Sequence, residues 1–125
     1  MAGQSDVAIQ EKKLRSRIKS FYEHLNQRDW QSCFDSIDPK LRDGRIAYAD
    51  YAETLTTFFQ KYGPINILSL KVSLHLDVKN SKRGEKDFAY GSVSWKDREN
   101  HIREFRERWI RSADDQWYTR MVGLV

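Results

Sequence analysis

One cysteine, two prolines and six glycines are all that this 125-residue chain holds of the residues that most constrain or interrupt a backbone. The lone cysteine, Cys33, excludes an intrachain disulfide and suits a reducing compartment. No apolar run approaches the roughly 20 residues that span a bilayer, so no membrane segment is expected. Met1-Ala-Gly-Gln-Ser-Asp6 lacks the basic and apolar regions of a secretory signal, and a soluble cytoplasmic protein is expected. Charge of one sign is not in great excess: 22 Lys and Arg face 18 Asp and Glu, a net charge of +4. The two signs are interspersed, whereas a polyanion-binding protein usually gathers its positive charge on one face, so nucleic acid is not the expected partner. There is no cluster of His, Asp or Glu with metal-ligand spacing, no Gly-rich phosphate loop and no Gly-x-Ser-x-Gly elbow. Neither a metal nor a cofactor is therefore expected.

Residues at two distinct periods fill the remainder. The chain is 39% hydrophobic and 13% aromatic, enough for one domain over residues 1–125 that buries roughly two-thirds of its unfolded surface. Residues 1–5 should fray. Leu14, Ile18, Phe21, Tyr22 and Leu25 recur at helical spacing and predict a helix over Gln10–Asn26, with a start as early as Asp6. Lys12, Lys13, Arg15, Arg17 and Lys19 lie mostly off that stripe, where a solvated face is the usual outcome and a phosphate-binding face the alternative. Asp29 can N-cap a short second helix that buries Trp30, Cys33, Phe34 and Ile37 and ends at Asp38-Pro39. Lys40–Arg45 reads as a loop. A third helix runs from about Tyr51 to Tyr62, with Asp50 and Glu53 spaced as a capping box and Gly63-Pro64 as its stop.

The period then falls to two. Leu68, Leu70, Val72, Leu74, Leu76 and Val78 alternate with polar residues and predict a half-buried strand. Asn80–Lys86 is a polar turn. Phe88–Trp95 is a second strand, with Gly91 as a bulge or a point of close approach. Lys96–Asn100 turns into a third strand, His101–Arg111, and Ser112–Gln116 into a fourth, Trp117–Val125. Three helices followed by a four-stranded (or larger) antiparallel meander make an α+β fold, with the helices packed on one face of the sheet.

Three stretches carry a resemblance. Phe21-Tyr-Glu-His-Leu-Asn-Gln-Arg-Asp-Trp30 ends a long helix in a polar turn and begins the next helix at an Asp. Tyr62-Gly-Pro64 precedes the sheet, and Asp115-Gln-Trp-Tyr118 opens the last strand. Their order over nearly the whole chain resembles the nuclear-transport-factor-two-like superfamily, also called SnoaL-like or ketosteroid-isomerase-like. The resemblance implies a curved, cone-shaped, cystatin-like roll with a pocket at its open end. It also implies dimerisation through the outer sheet face. Ketosteroid isomerases of this superfamily use a helix tyrosine, a loop aspartate and a protonated aspartate on the penultimate strand. The matching positions here are Phe21, which cannot donate, Arg45, with Asp43 two residues away, and Glu107. Tyr22 neighbours the first position but is turned about 100° round the helix. Isomerase activity is not carried over; the interest of Glu107 is.

Phe105, Glu107 and Trp109 share one strand face, so Glu107 should point inward with them. A carboxyl group there must be paired, hydrogen-bonded or kept protonated. It is a raised-pKa acid acting on a ligand, a structural group paired with an arginine such as Arg42 or Arg45, or a residue that a bulge in the strand sends to solvent. Tyr22, Trp30, Phe34, Tyr51, Phe58, Trp95, Phe105 and Trp109 are the pocket candidates around it, suited to a small apolar or aromatic ligand that offers an oxygen or a cation. His75 lies on the polar side of its strand, facing solvent or a second subunit. Lys71, Ser73, His75, Arg106, Arg108, Arg120 and Val122 are the candidate homodimer face. Three functions remain open: a small-molecule-binding domain without demonstrable catalysis, an isomerase-, dehydratase- or cyclase-type enzyme using Glu107, and an interaction or oligomerisation module.

Overall fold

The computed structural model describes residues 6–77 and 87–119. Helices come first: α1 (Asp6–Asn26), α2 (Trp30–Asp35), α3 (Pro39–Arg42) and α4 (Tyr48–Tyr62). Four strands follow: β1 (Asn66–His75), β2 (Phe88–Lys96), β3 (Ile102–Arg111) and β4 (Trp117–Thr119). They form one curved antiparallel sheet in the order β1-β2-β3-β4. The expected strand residue Val78, the turn Asn80–Lys86, the fraying of residues 1–5 and the strand beyond Thr119 lie outside the described residues.

The stripe on α1 is buried as its spacing requires, from Leu14 through Ile18, Phe21 and Tyr22 to Leu25, and it adds Gln10. Two polar contacts tie this helix to the start of β1. Arg15 Nη1 donates to the carbonyl of Leu70, and the Asn26 side chain both donates to and accepts from the Ile65 backbone. The Asp29 carboxylate accepts from Ser32 N at 3.2 Å and from the Ser32 hydroxyl at 2.7 Å, so it caps α2 as expected.

Among the described residues there are four helices where the sequence predicts three. The segment read as a loop begins with the one-turn helix α3, because Pro39 sits at its first turn and the Asp38 carboxylate accepts from Lys40 N. Proline is well placed there, since its missing N–H would have no intrahelical partner. The last helix, α4, starts a turn before the predicted Tyr51. Its N-cap is Ala47, with no side-chain cap, so Asp50 and Glu53 are not a capping box. Gly63 ends this helix at φ 77°, its N–H donating to the Phe59 carbonyl.

One strand residue faces the wrong way for its period. A bulge between Ile67 and Ser69 turns Leu68 out to 54% exposure, and Ile67 takes the inner position. The expected irregularity at Gly91 is a close approach and not a bulge, since the register runs unbroken through it. A methyl group on Gly91 would lie 2.8 Å from Ile18 Cδ1. The inner face of β2 and β3 carries Ala89, Gly91, Val93 and Trp95 beside Trp109, Glu107, Phe105 and Arg103, partner for partner.

Candidate functional site

Glu107 points inward because β3 alternates, and it is 2% exposed. Its partner across the ladder is Gly91. With no side chain at Gly91, α1 comes down onto the sheet there through Ile18. Tyr22, one helical turn beyond Ile18, then reaches the carboxylate: its hydroxyl donates to Glu107 Oε1 at 3.3 Å. The other oxygen, Oε2, accepts from the Thr119 hydroxyl at 2.8 Å. Thr119 is itself fixed by the segment leaving α2. Its N–H donates to the Ser36 carbonyl and its carbonyl accepts from Asp38 N. Three parts of the chain therefore meet at one buried acid.

Among the described residues no arginine forms part of the site. Arg42 donates instead to the Asp35 carbonyl, Arg45 is exposed, and Arg103 bonds the Asp97 carboxylate at 2.7 Å. Burial raises the Glu107 pKa above its ordinary value, and the bonds from Thr119 and Tyr22 only partly oppose this. The Tyr22 hydroxyl is pushed well up, first by burial and then by the nearby carboxylate. Tyr51 is raised by burial and by the charges of Cys33 and Glu107. Its hydroxyl and the Trp95 indole N–H are buried with no hydrogen-bond partner among the described residues. Cys33 is a buried free thiol pushed up to about 12, mainly by burial.

The predicted pocket residues interlock. Tyr22, Tyr51, Trp95 and Trp109 belong to the buried core, and Trp30, Phe34, Phe58 and Phe105 pack against it. Phe58 lies 6.0 Å from Trp95 and 5.6 Å from Phe105, centroid to centroid, and Trp95 lies 5.3 Å from Phe105. Phe21 meets Trp109 and Tyr22 edge to face, and Phe34 meets Tyr51 at 5.6 Å. Trp30 stands apart on the rim of a cavity of about 300 Å³, together with Arg28, Phe59 and Arg98. The arrangement joins helix to sheet through an acid–phenol–hydroxyl network around a carboxyl group whose pKa burial raises.

On the opposite sheet face the register brings five of the seven predicted dimer residues together. Lys71, Ser92 and Arg106 form one row, Ser73, Tyr90 and Arg108 the next, and His75, Phe88, Ile110 and Tyr118 a third. Arg120 and Val122 lie outside the described residues. Phe88 and Tyr90 were missed in the sequence, although they alternate with the inward Ala89 and Gly91 and so must face out. They hold the arginines: the Arg108 guanidinium lies 4.0 Å from the Phe88 centroid, Arg106 lies 4.4 Å from that of Tyr90, and His75 stacks on Phe88 at 4.8 Å.

Among the described residues no group of three or more His, Cys, Asp and Glu is placed to hold a metal ion, and no helix is long and apolar enough to cross a membrane. No family model matches the chain, and comparison with curated proteins and with solved structures returns no match.

Proposed function

We propose that this chain is a cone-shaped, nuclear-transport-factor-two-like domain that acts through its surface, as a homodimerising interaction module with a closed interior. The observation that carries this reading is the state of Glu107. Both of its oxygens are taken by Tyr22 and Thr119, and the rings around it pack on one another. An acid so engaged, with both oxygens hydrogen-bonded inside the protein and 2% exposure, stitches the fold together, which counts against the isomerase-, dehydratase- or cyclase-type reading. The outer face supplies what the interior does not. Arginines stacked on rings are common at interfaces because they are large and only weakly hydrated. Glu104 and Arg106 sit two residues apart on that face. In a two-fold contact residue i meets j and j meets i, so an axis between them pairs each Arg106 with the partner copy's Glu104. A soluble protein of a reducing compartment fits the single buried thiol.

Light scattering on the purified chain tests this. A dimer mass is expected at micromolar concentration. Arg106→Glu should give a folded monomer whose melting temperature no longer depends on protein concentration, and adding Glu104→Arg should restore the dimer. A monomeric parent chain, or a dimer indifferent to both changes, would sink the interface.

A second reading, a small-molecule-binding interior, is favoured by the unpartnered Tyr51 hydroxyl and Trp95 N–H. Each such buried group costs about 1–3 kcal/mol, which a ligand oxygen could recover. Phenol should then raise the melting temperature of the parent chain and leave Tyr51→Phe unmoved; equal shifts in both would dismiss this reading.

A further inference from the structure

The polar side of α1 does not simply face open water. Between it and the turn into β4 lies the larger of two described cavities, about 440 Å³, a volume typical of small-molecule sites. Ile9, Lys13, Ser16 and Ser20 line it at steps of four, three and four residues, so they form one stripe of the helix, with Lys12 and Arg17 flanking. Trp117 and Gln116 supply the far wall. The stripe is separate from the buried one through Leu14, Ile18 and Leu25.

Charge in this groove is one-sided. Three cations, Lys12, Lys13 and Arg17, face one carboxylate, Asp115. That carboxylate is already committed, with Lys13 on one oxygen and Arg111 on the other at 2.6 Å. Arg17 places its Nε on the Trp117 carbonyl at 2.9 Å and its guanidinium 5.2 Å from the Tyr118 ring centroid. Among the described residues, neither Arg17 nor Lys12 has a carboxylate partner. Two cations without counter-charge among the described residues, two hydroxyl donors and the exposed apolar side chain of Ile9 thus share one concavity.

We propose that this groove binds a small phosphate monoester, its phosphate held by Lys12, Arg17, Ser16 and Ser20 and its organic part set against Ile9. A tetrahedral dianion offers enough acceptor lone pairs for all four donors at once, and guanidinium–phosphate bonds are among the stronger charge-assisted pairs. A free ester and a lipid phosphate headgroup share this chemistry. The site stands on the α1 groove alone and does not depend on the outer sheet face.

Phenyl phosphate titrated into the full chain, followed by backbone amide NMR shifts, is the direct test. Saturable shifts are expected at Ser16, Ser20 and Gln116, weakening as salt is raised. Arg17→Gln should weaken binding about tenfold and Lys12→Gln about threefold. Arg17 also holds the Trp117 backbone; if its variant fails to fold, Lys12→Gln and Ser16→Ala, both exposed positions, carry the test. A parallel arm measures sedimentation with phosphatidylcholine vesicles, with and without phosphatidic acid. Binding in either arm that the variants weaken supports the site and names its source. No binding in both arms, or equal binding by the parent chain and the variants, overturns it.

Discussion

A carboxyl group 2% exposed, between a phenol and a threonine hydroxyl, loses its hydration and regains only two hydrogen bonds. Desolvation is the larger influence, so the folded-state pKa of Glu107 lies above its ordinary value. As pH rises past the unfolded value of about 4.3, the unfolded chain gives up this proton before the folded chain does, so the folded state binds more protons. The stability due to neutral Glu107 is therefore full below that value and is lost as pH rises through the folded-state pKa. Glu107→Gln keeps the shape and removes the titration. Thermal melts from about pH 4 to about pH 8 should show the variant gaining on the parent chain as pH rises; parallel curves would mean that folding does not raise the Glu107 pKa. The inward placement of this residue is legible from its alternation with Phe105 and Trp109. Its partners are not, because Tyr22 lies 85 residues away and no periodicity links the two.

Elements differ in how much of their shape is local. The helix α1 announces its core stripe, and Asp29 announces the start of α2, since both depend on residues within a turn or two. The bulge that turns out Leu68 is decided by pairing with β2, and alternation alone cannot show it. Contact between α1 and the sheet turns on Gly91. A methyl there meets Ile18 Cδ1, the end of a flexible side chain, and the Trp109 ring nitrogen at 3.5 Å. Gly91→Val should cost about 1–3 kcal/mol by overpacking, and Gly91→Ala less. Removing the same terminal methyl with Ile18→Val should make Gly91→Ala milder in the double variant than the single effects sum to. Urea denaturation of the four chains measures this coupling. Simple additivity would mean that helix and sheet adjust without strain.

At the scale of the whole molecule, two surfaces carry the proposed activities, and they adjoin at Tyr118, which ends one outer row and packs against Arg17. The outer sheet rows around Tyr90, Arg106 and Arg108 are built from β1 to β4, whereas the groove is built from α1, the β3–β4 turn and the first residue of β4. Mutations should therefore separate them. Arg106→Glu should abolish the dimer and leave phenyl phosphate binding as it is, whereas Lys12→Gln should weaken that binding about threefold and leave the dimer intact. Loss of both activities from either change, seen by light scattering and NMR titration on the same samples, would show that the surfaces are coupled.

The order of helices and strands apart from the one-turn α3, the inner and outer faces of β2 and β3, and the inward placement of Glu107 were determined by the sequence itself. Each is fixed by a short-range period or by a cap within a few residues. Only the tertiary structure decided that Gly91 stands opposite Glu107, that Tyr22 and Thr119 occupy both of its oxygens, and that the outer arginines lie on Phe88 and Tyr90. Those facts depend on strand register and on how closely α1 approaches the sheet. Both are set by the sum of contacts between segments far apart in the chain, which no local pattern records.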